Sequence, residues 1–126
     1  RRPPRSTLFP YTTLFRSQVL RDPRLAKAIY AMHQRPGVNW KVEDLAREAG
    51  LSRSLFAERF LAATGTTPAR YLTELRMRLA VQYITHEGQA LEKVAFSLGY
   101  QSLAAFSRAF KRITGQPPGA LRATAR

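Results

Sequence analysis

Apolar positions recur along this chain three and four residues apart, in short runs closed by glycine or proline. Asp22-Pro23 opens the first run, with Asp as an N-cap and Pro in the first turn, where no N–H is needed. Leu25, Ile29 and Met32 follow on one face, and Pro36-Gly37 ends the run. Val42, Leu45, Ala46 and Ala49 form a second amphipathic stretch, closed by Gly50. Ser52 caps a third, with Phe56, Phe60 and Ala63 on its core side and Gly65 at its end. Thr67-Pro68 starts a fourth, which runs to about His86 without a breaker before Gly88. Leu91, Val94, Ala95 and Leu98 then precede Gly99. Ser102 caps a helix carrying Phe106, Phe110 and Ile113, Gly115 follows, and Pro117-Pro118 opens a last helix. No strand-like alternation of useful length occurs. The pattern predicts an all-α fold of about seven helices.

Its second half repeats the first. Leu45, Ala46, Ala49 and Gly50 correspond to Val94, Ala95, Leu98 and Gly99 at an offset of 49. Phe56, Phe60, Gly65 and Pro68 correspond to Phe106, Phe110, Gly115 and Pro118 at an offset of 50. One extra residue therefore sits in the second turn, near Gln101. Each unit reads as a short helix, a glycine turn and a Ser-capped helix, which is a helix-turn-helix. The alanine at 46 or 95 lets the second helix approach closely, and the turn glycine suits a left-handed backbone position. Two such subdomains are expected, over about 42–64 and 91–113, joined by a long linker helix over about 68–86.

Composition sharpens this picture. The 126 residues carry a formal net charge of +13, which predicts a polyanionic partner, nucleic acid or an acidic membrane surface. Residues 1–17, RRPPRSTLFPYTTLFRS, show no apolar period and no cap. Residue for residue they match one reading frame of a common short-read sequencing adapter. They are read as a non-native, disordered scar, with a basic arm or a targeting peptide as the alternatives, and residues 18–126 as the domain. That stretch holds four of the 21 basic residues and none of the 8 acidic ones, so the rest is still at +9. The chain is then expected to be a fragment whose true sequence upstream of Gln18 is missing. There is no cysteine, so disulfides and thiolate metal sites are excluded. No apolar run approaches the roughly 18–20 residues that span a bilayer, so a soluble cytoplasmic protein without a membrane partner is expected.

The stretches LAREAGLSRSLFAERFLAATGTTPARYL, RMRLA and VAFSLGYQSLAAFSRAFKRITGQPPGALR resemble the DNA-binding domain of the AraC/XylS transcription regulators. The last is the most specific, with Gly99-Tyr100, then Phe106 to Lys111, Gly115 and Pro117-Pro118. The resemblance covers about residues 22 to 122. It implies seven helices, two recognition helices in successive major grooves of double-stranded DNA, and in many members an N-terminal effector-binding or dimerisation domain. The run RDPRLAKAIYAMHQRPGVNW is similar to the lead-in found where that upstream domain is a cupin barrel. It also implies that Arg76 is structural, in a buried or half-buried ion pair with Glu74 or Glu48, while Arg78 is expected to be exposed. Lys41 departs from the family's Ser or Thr cap, which costs that helix about 1 kcal/mol.

Helical geometry separates the faces. With Phe56 and Phe60 inward, Ser54, Ala57, Glu58 and Leu61 point outward; with Phe106, Phe110 and Ile113 inward, Ala104, Ser107, Arg108 and Lys111 do. Outward residues near the helix start enter the major groove first. The candidate base contacts on these faces are Ser54, Ala57, Glu58, Ala104, Ser107 and Arg108, positions the resemblance also implies, and Arg53 joins them from its place at the helix start, with a solvated arginine as the alternative. Arg108 can pair with a guanine edge, and Glu58 can accept from a cytosine amino group or simply repel phosphate. Arg47, Arg59, Lys93, Lys111, Arg112 and the backbone after Thr67 and Gln116 are candidate phosphate contacts. Phe56, Phe60, Phe106 and Phe110 are structural.

Other chemistry finds little support. His33 and His86 lie far apart without a ligand cluster, and no phosphate loop, nucleophile elbow or metal spacing occurs. Neither an enzyme nor a cofactor is expected. Trp40 and Tyr71 are expected to pack between helices, and Tyr100 to join the core. The leading expectation is a sequence-specific DNA-binding regulator with RNA polymerase as a further candidate partner. The alternative is a helical module that contacts RNA polymerase without specific DNA binding.

Overall fold

A computed structural model describes residues 21–124, so the stretch 1–17 lies outside the described residues. Among those described there are seven α-helices and no strand: α1 Pro23–Gln34, α2 Val42–Ala49, α3 Arg53–Thr64, α4 Pro68–Thr85, α5 Leu91–Ser97, α6 Leu103–Thr114 and α7 Pro118–Thr124. The caps are those the punctuation predicts. The Asp22 carboxylate accepts from the N–H of Arg24 and Leu25, and Ser52 and Ser102 accept from Leu55 and Ala105. Thr67 Oγ1 accepts from the N–H of Arg70 and so caps α4. The Lys41 side chain makes no cap bond to α2; instead the Asp44 carboxylate accepts from the Lys41 N–H at 3.1 Å, satisfying one end of that turn.

The chain divides into two compact units, made of residues 21–35 with 39–72, and of 36–38 with 73–124. In the first unit, Leu25, Ala28, Ile29 and Met32 of α1 are buried with Leu45, Ala46 and Ala49 of α2 and Phe56 and Phe60 of α3. The Phe56 and Phe60 rings lie 5.6 Å apart, and Phe60 meets Tyr71 edge-on at 5.8 Å. Each fully buried ring of this kind contributes about 1.5–3 kcal/mol of apolar burial. Tyr71 is buried, and its hydroxyl bonds His33 Nε2. Trp40 is only half-buried, in the connection before α2; its indole N–H donates to the Arg35 carbonyl at 2.8 Å, beneath the Arg35 guanidinium.

In the second unit the buried apolar set is Leu75, Met77, Ala80 and Ile84 of α4, Val94, Ala95 and Leu98 around α5, and Phe106, Ala109 and Phe110 of α6. Tyr100 is half-buried, with its ring edge-on to Phe106 at 5.6 Å. Burial raises its hydroxyl pKa above the ordinary value, against the opposing effect of the nearby Arg76 and Arg112.

Arg76 differs from expectation. Among the described residues it makes no carboxylate pair; Nε donates to the Pro36 carbonyl at 2.7 Å and Nη2 to the Val38 carbonyl at 2.9 Å, with the guanidinium 5.6 Å above the Tyr100 ring. The planar fork carries several donors in fixed directions, so it bridges two carbonyls of one short segment while its flat face lies over the negative face of the ring. Arg78, expected to be exposed, is half-buried. Residues 36–38 thereby belong to the second unit, with Gly37 placed where a side chain does not fit. A β-carbon on Gly37 would lie 2.4 Å from the Ser97 carbonyl oxygen, and one on Gly99 would lie 2.7 Å from that of Gly37.

Candidate nucleic-acid interface

The two turns are built alike. Gly50 and Gly99 both take the left-handed conformation, at φ +69° and +90°. In each, the residue after the glycine donates back to the alanine that opens the turn, Leu51 to Ala46 and Tyr100 to Ala95, both at 3.0 Å. The cap serine follows Leu51 directly, whereas Gln101 intervenes after Tyr100, so Gln101 is the extra residue. The ends of α3 and α6 also match. Thr64 Oγ1 donates to the Phe60 carbonyl and accepts from the Thr66 N–H; Thr114 Oγ1 does the same with Phe110 and Gln116. These clasps were not among the expected features, although the repeated Thr-Gly at 64–65 and 114–115 signals them.

On α3, Ser54, Glu58 and Leu61 are exposed and Ala57 half-exposed, opposite Phe56 and Phe60. Arg53 is exposed at the helix start, 3.6 Å from Glu43 of α2, which leaves it only weakly tethered. On α6, Ala104, Arg108 and Lys111 are exposed and Ser107 half-exposed, opposite Phe106 and Phe110. Each unit thus gathers Ser54, Ala57 and Glu58, or Ala104, Ser107 and Arg108, into one outward stripe, with Arg53 beside the first at the start of α3.

The phosphate candidates lie around these helices. Arg47 is exposed and paired with Asp44, so its charge is partly spent locally. Arg59, Lys93, Lys111 and Arg112 are exposed and make no ion pair among the described residues. Thr67 is exposed with its hydroxyl engaged in the cap, and the Gln116 N–H already bonds Thr114, leaving less of that backbone for an anion than expected. Among the described residues, no helix is long and apolar enough to cross a membrane, and no group of three or more His, Asp or Glu side chains is placed to hold a metal.

A repeated short helix, left-handed glycine turn and Ser-capped second helix define a double helix-turn-helix protein. Residues 45–124 match a family model described as a helix-turn-helix domain. The chain belongs to that family, in its AraC/XylS form. It is 44% identical over 100 residues to an AraC-like protein of Streptomyces lividans, covering 79% of this chain and 33% of that protein. It is 41% identical over 104 residues to the RCS-specific transcriptional activator RclR of Escherichia coli, covering 82% and 37%. The chain thus spans about a third of the length of the curated relatives it matches. Among solved structures it is similar to the DNA-binding domain of AdpA in complex with a target DNA, with a TM-score of 0.76, 30% identity, and coverage of 82% of this chain and 93% of that one. An AraC-type regulator from Chromobacterium violaceum matches with a TM-score of 0.76 at 25% identity, covering 82% and 92%.

Proposed function

We propose that this chain is the DNA-binding portion of a sequence-specific transcription regulator that sets α3 and α6 in successive major grooves of double-stranded DNA. The observation that carries it is the pair of Ser-capped helices, each turning one stripe of small and polar side chains to solvent. The bound DNA of the AdpA domain supports the same use of this fold. Arg108 forks onto a guanine edge and Ser107 bonds a neighbouring base. Ser54, Ala57 and Glu58, with Arg53 beside them, serve the first unit, and Ala104 lets α6 lie close to the bases. Arg47, Arg59, Lys93, Lys111, Arg112 and the backbone at Thr67 and Gln116 take phosphates and set register.

The protein acts by binding, with no catalytic step, in the cytoplasm. Its relatives' greater length supports an N-terminal effector or dimerisation domain as a further part of the whole protein. RNA polymerase is the further partner. A second reading, a module that touches polymerase without specific DNA binding, draws support from Phe96, which is 60% exposed on α5. Affinity for duplex DNA measured against salt tests the first reading. Binding that weakens steeply with salt and favours selected sequences is expected; equal, salt-independent affinity for every duplex contradicts it.

A further inference from the structure

The repeat places opposite charges at equivalent points of the two outward stripes. At an offset of 50, Glu58 stands where α6 has Arg108, and Leu61 where it has Lys111. Glu58 is exposed, and no ion pair holds it among the described residues. Leu61 is 52% exposed, one turn along from Ala57 and Glu58. In a chain of net charge +13, a carboxylate and a large apolar side chain on the face that meets DNA weaken any grip on phosphate. They suit base edges instead.

We infer that α3 reads a cytosine beside a thymine, with Glu58 accepting from the cytosine amino group and Leu61 and Ala57 covering the thymine methyl. This rests on the DNA-binding reading above. Docked as α6 is, α3 brings Glu58 to the depth at which Arg108 meets guanine. A carboxylate only accepts, so it needs a base whose groove edge is a donor. Cytosine offers an amino donor with no acceptor in the same groove, whereas adenine's amino group sits beside N7, which repels the carboxylate. Leu61 replaces the cation that would hold phosphate with a surface that favours a methyl group.

Selection from random duplex DNA with the whole chain and with Glu58→Gln, Leu61→Ala and Arg108→Ala variants tests this. The expected result is a cytosine–thymine step, enriched by the parent chain and by Arg108→Ala. Glu58→Gln shifts that cytosine toward adenine, which glutamine can bond bidentately, at a loss of roughly tenfold for the original site. Leu61→Ala relaxes only the thymine. Both positions are exposed, and retained helical circular dichroism confirms folding. Glu58→Gln tightening all duplexes equally, with an unchanged preferred sequence, overturns the proposal, as does a first half-site without cytosine. If the parent chain enriches no sequence at all, the DNA-binding reading itself fails.

Discussion

The carbonyl oxygen of Gly37 lies 2.7 Å from the point where a β-carbon on Gly99 would sit. The equivalent turn glycine of the first unit, Gly50, has nothing within 4 Å of that point. Both have positive φ, so alanine strains the backbone at either by about 1–2 kcal/mol. Gly99→Ala must also displace the backbone of the 36–38 segment and crowd the Arg76 guanidinium, which adds about 1–3 kcal/mol. Urea unfolding is expected to show Gly99→Ala as clearly the more destabilising of the two.

Arg76 secures the same segment. Arg76→Lys keeps the charge but cannot span the Pro36 and Val38 carbonyls or lie flat on Tyr100. A loss of about 1.5–3 kcal/mol is expected, from the charge-assisted bonds that go. Stability no different from the parent in chemical denaturation would contradict this.

The threonine clasps differ in burial. Thr64 is buried while Thr114 is half-buried, so Thr64→Val strands its partners away from water and costs about 1–3 kcal/mol, with Thr114→Val costing less. Thr66 Oγ1 is buried without a hydrogen bond. Thr66→Val keeps the shape and removes that unmet group, so thermal melting is expected to show unchanged or higher stability.

Tyr100 gives a pH signature. Its folded pKa is raised by burial, so its proton is held more tightly folded than unfolded. The associated stability is fully present below the ordinary tyrosine value of about 10 and is lost as pH rises through the higher folded value. Tyr100→Phe should therefore lose less stability than the parent between neutral and strongly alkaline pH, measured by denaturant midpoints.

Much of this was legible because it is local. Caps at Asp22, Ser52 and Ser102, and the phenylalanine pairs one turn apart, carry their own periodicity, and the outward stripes follow from it. The offset change from 49 to 50 located Gln101. What was not legible acts at a distance. Nothing near Arg76 in sequence names carbonyls 38 and 40 residues away, and the family resemblance pointed to an ion pair with Glu74 or Glu48 instead. Arg78 is half-buried rather than exposed because exposure on a long helix depends on what packs beside it, which helical period alone does not contain. The Thr64 and Thr114 clasps lay in plain view as a repeated Thr-Gly, but a threonine at a helix end has too many ordinary roles to stand out.

Sequence recognition through two helices is open to equilibrium competition binding. A duplex selected by the parent chain is competed against shuffled duplex at fixed salt, for the parent and for Arg108→Ala. A clear preference for the selected duplex is expected, falling by about 1–3 kcal/mol in Arg108→Ala, with affinity for shuffled DNA little changed. No preference in the parent, or equal losses on both duplexes in the variant, would contradict it.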